Sequence, residues 1–557
     1  MKGTVRVKIG RDGREVREFP RGITLIELSR EYEGQSIAQV VAARVNGELR
    51  ELTYPLTEDS TVEFLDLGTD DGQRIYTRSL SFLLIRATQD VLPGAAVSIE
   101  HSLGNGLYIE IHGDSPLTEE DVAVLEMRMK ELVEADLPFR KKRLPLHQAQ
   151  QLFQKQGQTD KVRLLKYRAK DYLNVYELDG LVDYFFGYMV PSTGFLRLFT
   201  LHFNLPGLIL LFPKKYSPTV LPKYQDQPKL AAVFREAERW GEILEVADVG
   251  SLNDLIVSGH GPELVRISEA LHEKKIAQIA DQITANREAR LVLIAGPSSS
   301  GKTTFTQRLY IQLRVNGLRP VTISLDDYFV DREATPRDEA GQYDFEALEA
   351  LDLKLFNHQL VQLIQGDEVE VPVFDFKRGA RTWVGRRIKV EPGQPLLIEG
   401  IHGLNERLTP SIPKDKKFKI YVSALTQLNV DRHNRIPTTD TRLLRRIVRD
   451  SKYRSAQAED TIMRWPSVRW GEERNIFPFQ EEADAMFNSA LVYELAILKK
   501  YAEPLLAQVP GDSPAYSQAK ILRKFLAYFQ PLEEEDEIPR NSILREFIGP
   551  APGSIIP

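Results

Sequence analysis

A short apolar run followed by a turn of glycine and lysine is the feature that most constrains this chain of 557 residues. The run Leu291–Ala295 has the composition of a buried strand, and the turn GPSSSGKT follows it at residues 296–303. A helical pattern over residues 304–315 comes next. A strand, a G-x-x-x-x-G-K-T turn and a helix in this order predict a loop whose backbone N–H groups and helix N-terminus bind phosphate.

In that loop we expect Lys302 to reach the β and γ phosphates of ATP and the hydroxyl of Thr303 to bind Mg2+, a hard ion that prefers oxygen ligands. A glycine turn without a ligand is the alternative. The predicted ATP-binding residues of the loop are Gly296, Pro297, Ser298, Ser299, Ser300, Gly301, Lys302, Thr303 and Thr304.

Carboxylates follow two further apolar runs that have the pattern of strands. Residues 321–325 lead to Asp326 and Asp327, and residues 395–398 lead to Glu399. In open α/β sheets ligands bind at the carboxyl edge, so these acids are predicted to lie near the phosphates. Asp326 is the predicted general base and also a metal-site residue, while Glu399 holds Mg2+ through water. The alternative is that the aspartates only cap the following turn.

Arginines recur at helical spacing in residues 441–454, where Arg442, Arg445, Arg446 and Arg449 are three or four residues apart. We predict one strongly cationic helix face that closes as a lid over the triphosphate. An ordinary solvated helix is the alternative. An aromatic cluster follows at residues 465–479, and we interpret it as core packing rather than a platform that stacks a base.

Composition excludes several function classes. The chain has no cysteine, so it has neither disulfides nor thiolate metal sites, and its net charge of -6 argues against a dedicated DNA binder. No apolar run approaches the about 20 residues of a membrane span, and the start lacks the apolar centre of a secretory signal. We therefore expect a cytoplasmic protein that binds a small molecule, with no DNA or membrane partner; homo-oligomerisation is left open.

The length and the pattern changes predict several domains. Residues 1–66 read as a small α+β unit, and residues 67–225 as a second unit that mixes helices and strands. Residues 226–289 read as a helical linker, residues 290–500 as a parallel α/β sheet with crossover helices, and residues 501–557 as a C-terminal extension.

Residues 290–498 resemble the uridine kinase and phosphoribulokinase branch of P-loop kinases. Beyond the phosphate loop, SLDDYF at residues 324–329 looks like the catalytic-aspartate segment of that branch, and VPVFDF at residues 371–376 resembles its substrate loop. The resemblance implies Asp326 as base and Thr303 and Glu399 at magnesium. It also assigns phosphate contacts to Arg445, Arg449 and Arg454, and substrate contacts to Asp326, Tyr328, Tyr343, Asp344, Phe374, Arg381 and Arg449.

One departure bears on the substrate. Where pyrimidine-specific members place a tyrosine and, five residues later, a histidine, this chain has Phe374 and Gly379, which argues against uridine. The predicted activity is ATP- and Mg2+-dependent phosphorylation of the 5'-hydroxyl of a nucleoside. The alternatives are a sugar-phosphate kinase of the phosphoribulokinase type and a nucleotide-switched regulator that binds RNA or ribosomes.

Residues 1–225 resemble the N-terminal half of threonyl-tRNA synthetase, a β-grasp TGS domain followed by the α+β domain that edits mischarged tRNA. The resemblance rests on residues 78–87 with GNGLY at 104–108 and LTEED at 117–121, and on YMVPSTG at 188–194. The ligand and proton-transfer positions of that family fall on Arg78, Phe82, Phe185 and Met189. Editing chemistry is therefore predicted to be lost, a tRNA partner is disfavoured, and a regulatory, oligomerising or substrate-covering module is expected.

Overall fold

A computed structural model describes residues 3–10, 15–32, 36–337, 341–375, 378–426 and 428–550. The chain is a multidomain α/β and α+β protein, as the sequence predicts. At the N-terminus, a mixed sheet of order β2-β1-β5-β3-β4 packs on one short helix around its own apolar core. Its elements are β1 (Thr4–Ile9), β2 (Glu15–Pro20), α1 (Leu25–Arg30), β3 (Val40–Val45), β4 (Glu48–Glu51) and β5 (Ser60–Asp66).

The second region has two antiparallel sheets, of order β11-β12-β7-β6 and β10-β9-β8, with the long helix α2 packed against them. Eight buried apolar residues of α2 belong to the core of this region. Its elements are α2 (Asp70–Val91), β6 (Ala96–Leu103), β7 (Gly106–His112), α3 (Glu119–Glu134), β8 (Arg140–Pro145), α4 (Leu146–Lys155), α5 (Thr159–Leu165), β9 (Tyr172–Leu178), β10 (Leu181–Asp183), β11 (Thr200–Asn204) and β12 (Gly207–Leu211).

Three helices, α6 (Pro228–Ile243), α7 (Val249–Val257) and α8 (Gly261–Ala285), lead into a parallel sheet of order β14-β19-β13-β20-β23. The central strand β13 is apolar and buried along its whole length, as expected for a parallel sheet covered by helices on both faces. Within the stretches of chain that the structure describes, no helix is long and apolar enough to cross a membrane.

The elements of the sheet region are β13 (Leu291–Ala295), α9 (Lys302–Val315), β14 (Val321–Ser324), α10 (Leu353–Gln365), β15 (Val369–Glu370), β16 (Val373–Asp375), β17 (Ala380–Thr382), β18 (Arg387–Ile388), β19 (Leu396–Glu399), β20 (Lys417–Ser423), β21 (Asn429–Asp431), β22 (Asn434–Arg435), α11 (Thr438–Tyr453), α12 (Ala458–Asn475), β23 (Ala485–Asn488) and α13 (Glu494–Ala507). Two more helices, α14 (Tyr516–Leu526) and α15 (Arg545–Ile548), complete the described chain. Their apolar residues join the core on one face of the parallel sheet, together with those of α8 and α13.

The register of the sheet determines where the predicted site lies. Glu399 at the end of β19 is level with Ile294 of β13 on one side and with Ser324 of β14 on the other. Because the strands are parallel, the loops that follow them all leave from the same edge. This edge therefore carries the loop at residues 296–303, Asp326 and Glu399 together.

Candidate active site

The loop between β13 and α9 is shaped by two glycines. A side chain at Gly296 would place its Cβ 2.0 Å from the carbonyl oxygen of Val422 in β20, so only glycine allows this approach. Gly301 has φ of +82°, a left-handed conformation that favours glycine, and it is the residue from which α9 begins at Lys302. The helix thus starts two residues earlier than the sequence pattern indicates, and its first N–H groups point toward the loop.

Charged side chains hold the loop from behind. The Nε of Arg442 in α11 donates to the carbonyl oxygen of Ser298 over 2.9 Å, and the N–H of Ser298 donates to Glu472 Oε1 over 2.9 Å. Arg442 and Glu472 also form an ion pair in which both side chains are at most 1% exposed. The pair therefore fixes both backbone groups of one loop residue, at the desolvation cost of two buried charges.

Arg445, a predicted phosphate ligand, does not lie at the phosphate-binding face. Its guanidinium pairs with Glu494 and donates to the carbonyl oxygens of Ser489 and Ser299, and the side chain is fully buried. The prediction of one cationic face on α11 is corrected accordingly. Arg442 and Arg445 face inward and support the loop, because glutamates distant in the sequence neutralise them.

The other arginines of the lid surround one acid. Arg446 donates to the hydroxyl of Ser298 over 2.8 Å, and Asp450 pairs with Arg446 at 3.3 Å, Arg449 at 2.8 Å and Arg454 at 3.7 Å. Burial lowers the pKa of Arg446 and of Arg454, but both stay far above neutrality in an arginine. Three guanidiniums sharing one carboxylate leave a net positive charge beside the loop.

Lys302 and two acids form the centre of the site. The Nζ of Lys302 donates to the carbonyl oxygen of Pro297 over 3.2 Å. Removal from water lowers the pKa of Lys302, and the nearby charges of Glu399 and Asp326 oppose this. Burial and the negative charges of Asp326 and Glu546 raise the pKa of Glu399 to about 7, although Lys302 acts in the opposite direction. Lys302 and the three carboxylates are therefore close enough for their charges to influence one another.

Oxygen donors suited to magnesium lie beside Lys302. The hydroxyl of Thr303 is 3.1 Å from each carboxylate oxygen of Glu399, and Asp326 lies on the neighbouring strand end. Among the described residues, no group of three or more His, Asp or Glu side chains has the arrangement of a metal cage. A hydroxyl and carboxylates on one side fit Mg2+, which usually keeps several waters and completes its shell with nucleotide phosphates.

Asp326 follows the end of β14, at the same edge of the sheet as the loop. Its side chain remains open to solvent, yet protein surrounds it closely enough that desolvation raises its pKa, while Lys302 and Arg454 lower it. The turn that begins there is capped by the hydroxyl of Ser324, which accepts from the N–H of Asp326 over 3.3 Å. The carboxylate of Asp326 is thus not needed as a cap. Asp327 instead accepts from the N–H of Phe374 over 3.4 Å.

The residues predicted to bind the acceptor lie in different surroundings. Tyr328 is not accessible to an acceptor, because it is 1% exposed and its hydroxyl donates to Gln359 within the core. Arg381 pairs with Asp352 at 2.8 Å. Phe374 lies on β16, next to Asp327, and its ring centroid is 5.7 Å from that of Phe329. Phe376 of the predicted substrate loop lies outside the described residues.

Tyr343 and Asp344 lie in the loop that precedes α10. The guanidinium of Arg337 is 4.2 Å from the ring centroid of Tyr343, and Asp344 accepts from the N–H of Glu346 over 3.1 Å. Glu346 was not predicted. Burial and the charge of Glu472 raise the pKa of Glu346 to about 7, while Arg446 and Lys302 oppose the shift, so this acid lies near charged groups of the site.

Sequence reasoning missed the buried glutamates behind the loop and one from the end of the chain. The carboxylate of Glu546 in α15 accepts from both the N–H and the hydroxyl of Thr304, at 3.2 Å and 2.8 Å. Glu472, Glu494 and Glu546 follow no strand and form no motif with the loop.

In the second region, three of the four positions at which the resemblance places editing residues are buried in the core, and the fourth, Arg78, is half-buried. Phe82 and Phe185 have ring centroids 4.9 Å apart, and both side chains are buried. Met189 is buried and its Sδ accepts from the hydroxyl of Ser79. Arg78 donates to the carbonyl oxygen of Tyr188 over 2.7 Å. Apolar packing therefore occupies three of these four positions, and an arginine that donates to a backbone carbonyl occupies the fourth.

Comparison with known proteins separates the chain into the same two halves. The N-terminal region is similar to threonine–tRNA ligases, being 28% identical over 192 residues to that of Desulforamulus reducens and 30% identical over 186 residues to that of Marinobacter nauticus. These matches cover 34% and 33% of this chain, and only 30% and 29% of the ligases. The chain thus spans about three tenths of the length of these relatives.

Among solved structures, one titled "Structure of a Possible Uridine Kinase from Bacillus stearothermophilus" is 18% identical with a TM-score of 0.27, and covers 39% of this chain and 98% of its own. A D-glycerate 3-kinase from Cryptococcus neoformans is 14% identical with a TM-score of 0.20, over 48% and 89% of the two chains. Residues 291–495 match the phosphoribulokinase / uridine kinase family. The part of the chain that carries the phosphate-binding loop, Asp326 and Glu399 is therefore a P-loop kinase domain of that family.

Proposed function

We propose that this protein uses ATP and Mg2+ to phosphorylate the 5'-hydroxyl of a nucleoside. The family match of residues 291–495 supports a kinase. The observation that carries the proposal is the position of Asp326, open to solvent at a strand end and within electrostatic reach of Lys302 and Glu399. A carboxylate there can meet an incoming hydroxyl beside the bound phosphates.

In the proposed reaction, the hydroxyl oxygen of the acceptor attacks the γ-phosphorus of ATP. The new oxygen–phosphorus bond forms as the bond from the γ-phosphorus to the bridging oxygen breaks, and ADP leaves with the electron pair. The proton of the hydroxyl passes to the carboxylate of Asp326, whose raised pKa makes it a better proton acceptor than an ordinary aspartate.

The remaining groups stabilise charge. Lys302 and the N–H groups at the start of α9 bind phosphate oxygens, and Arg446, Arg449 and Arg454 add positive charge from the lid. Thr303 and Glu399 would hold Mg2+, which neutralises phosphate charge when bound.

The experiment that tests this proposal replaces one carboxylate by its amide. Asp326→Asn preserves the shape of the side chain but cannot take a proton, so we expect turnover to fall about 10²- to 10⁴-fold while ATP still binds. Asp327→Asn is the matched control, because that neighbour is engaged with Phe374, and its loss is expected to be much smaller. Turnover of Asp326→Asn equal to that of the unmodified protein would refute the proposed base.

A sugar phosphate is the second candidate acceptor. The observation that favours it is a set of guanidiniums among the residues predicted to bind the acceptor: Arg386 lies 3.4 Å from Asp327, Arg381 of β17 pairs with Asp352, and Arg337 contacts the ring of Tyr343. Such groups suit an anionic acceptor. Incubation with radiolabelled ATP and either the common nucleosides or ribulose 5-phosphate separates the two, since only one class would become labelled.

We propose no tRNA editing for the N-terminal half, whose expected role is to regulate or cover the kinase. Arg74 of α2 donates to Asp440 of the lid helix α11 over 2.5 Å and 3.1 Å, which supports such a role. Deacylation of mischarged tRNA by the purified full-length protein would contradict the proposal.

A further inference from the structure

Residues 542–549, near the end of the described chain, lie between the loop at residues 296–303 and the helix α11. Residues 542–545 and 547–549 are buried, although the segment begins 35 residues after the end of α13 at Ala507. A methyl group of Ile543 lies 2.4 Å from where a side chain on Gly301 would begin, so this segment packs directly on the phosphate-binding loop. Ser542 donates to Glu269 of α8, which adds a polar anchor.

The same segment also contacts the lid. The Nζ of Lys452 in α11 donates to the carbonyl oxygen of Ile548, and the guanidinium of Arg445 lies 4.9 Å from the ring centroid of Phe547. The apolar side chains between these contacts are at most 1% exposed. Residues 542–549 are therefore anchored on both sides, and large movement of this backbone would expose a buried core.

Glu546 differs from its neighbours, because its side chain is only partly buried and turns toward the loop. Its carboxylate accepts from the N–H and the hydroxyl of Thr304 in the first turn of α9. Free N–H groups in the first turn of a helix attract anions, and in a strand–loop–helix of this kind the anion is phosphate. The carboxylate of Glu546 thus accepts hydrogen bonds from two donors of Thr304 that would suit a phosphate oxygen.

The charges around Glu546 agree with this position. Its negative charge acts on Lys302, on Glu399 and on Arg454, which belong to the loop, the metal-binding side and the lid. A group that influences all three lies close to each of them, in the space beside the donors of Thr304. A second anion in that space would be repelled by Glu546.

We infer that Glu546 is a residue of the nucleotide site, whose carboxylate holds the donors of Thr304 until a nucleotide phosphate displaces it. The inference rests on the proposed use of ATP. The buried neighbours keep the backbone of the segment in place, and the side chain of Glu546 rotates away when nucleotide binds. The displacement subtracts from nucleotide affinity, so Glu546 sets how tightly the site binds.

Calorimetric titration of the full-length protein with ATP tests this inference, once in EDTA and once with Mg2+. Glu546→Gln keeps the shape and removes the charge, so we expect the Kd for ATP to fall about five- to ten-fold in both conditions. A purely structural role predicts the opposite, since loss of the contact with Thr304 would loosen the loop. An unchanged or larger Kd, or tighter binding only in EDTA, overturns the inference.

Two variants keep the result interpretable. Asp536→Asn removes an exposed negative charge from the same C-terminal stretch and is expected to leave the Kd unchanged. If Glu546→Gln melts at a lower temperature than the unmodified protein, Glu546→Asp is used, whose carboxylate is one methylene too short for both contacts and is also expected to bind ATP more tightly. Failure of the unmodified protein to bind ATP would contradict the proposed function itself, whereas normal binding without tightening in either variant contradicts only the role of Glu546.

Discussion

The surroundings of Phe82 and the space behind Ser298 are both buried, but opposite kinds of side chain fill them. Around Phe82 the contacts are aromatic and aliphatic, with Phe139 and Phe185 within 5.9 Å between ring centroids. Behind Ser298 the ion pair of Arg442 and Glu472 is shielded from water. Apolar packing stabilises a fold without placing a reactive group, whereas a buried ion pair costs desolvation and fixes hydrogen-bond geometry.

The two regions therefore differ in how buried space is filled. The cluster around Phe82 is packed with apolar side chains, while the kinase half has buried charges that hold a loop in one conformation. Between the halves lies a third kind of environment, the buried cluster of Lys161, Asp183 and His433. Lys161 Nζ is 2.7 Å from Asp183 and 2.8 Å from His433 Nδ1. Four predictions test this comparison.

The largest effect is expected behind the loop. Arg442→Met removes the guanidinium from Ser298 and leaves Glu472 buried without that partner, so the free energy of unfolding should fall by about 3–5 kcal/mol and ATP binding should weaken. Arg449→Met, the same substitution in the same helix, is the control, because Arg449 shares Asp450 with other arginines. Guanidinium titration of both variants is the measurement; equal losses would show that α11 does not brace the loop.

A comparable loss of stability, but no loss of binding, is expected in the N-terminal half. Phe82→Ala opens a cavity in a fully buried cluster and should lower the free energy of unfolding by about 3–4 kcal/mol. The Kd for ATP, measured on folded protein, should not change. A weaker Kd would show that this core is coupled to the kinase site.

At the junction, Lys161→Met should cost about 3 kcal/mol, since it leaves Asp183 and Asp431 with less compensating charge in a buried position. The pKa of Asp183 is held below its usual range mainly by Lys161 and His433, against the desolvation that opposes ionisation. Thermal melting of the full-length chain checks the effect. A melting temperature equal to that of the unmodified protein would mean that the halves do not depend on this cluster.

The smallest effect is a pH dependence at the same junction. Burial and the charges of Glu110 and Glu238 raise the pKa of Glu100 to about 7, so the folded chain binds a proton more tightly than the unfolded chain does. Stability from this group is present below about pH 4.5 and is lost as pH rises through 7, by about 1–3 kcal/mol. Glu100→Gln should flatten the profile between pH 5.5 and 8 in guanidinium titrations, and an unchanged slope would contradict the assignment.

Much of the kinase half could be predicted from local patterns. The apolar strands, the glycine and lysine turn, and the acids at strand ends follow from spacing alone, and the parallel sheet confirms the predicted fold. The roles of Asp326, Lys302 and Glu399 remain predictions, although the structure brings these residues together.

The orientation of several side chains at the site could not be predicted, because it depends on partners that are far away in the sequence. Helical spacing predicted a cationic face on α11, but Glu472 and Glu494 turn Arg442 and Arg445 inward. Tyr328 lies two residues after the predicted base, but its side chain is buried in the core. Its hydroxyl has a buried hydrogen-bond partner there, Gln359. No local pattern contains such information.

By itself, the sequence determined that residues 291–303 form a strand and a phosphate-binding turn, because the chain conformation there is set by neighbouring residues and by glycines that no other residue can replace. Only the tertiary structure decided which charges face the phosphates and which support the loop from behind. It also placed Glu546, 242 residues beyond Thr304, on the first turn of α9. Burial and charge compensation act between residues that are close in space, and distance along the chain does not limit them.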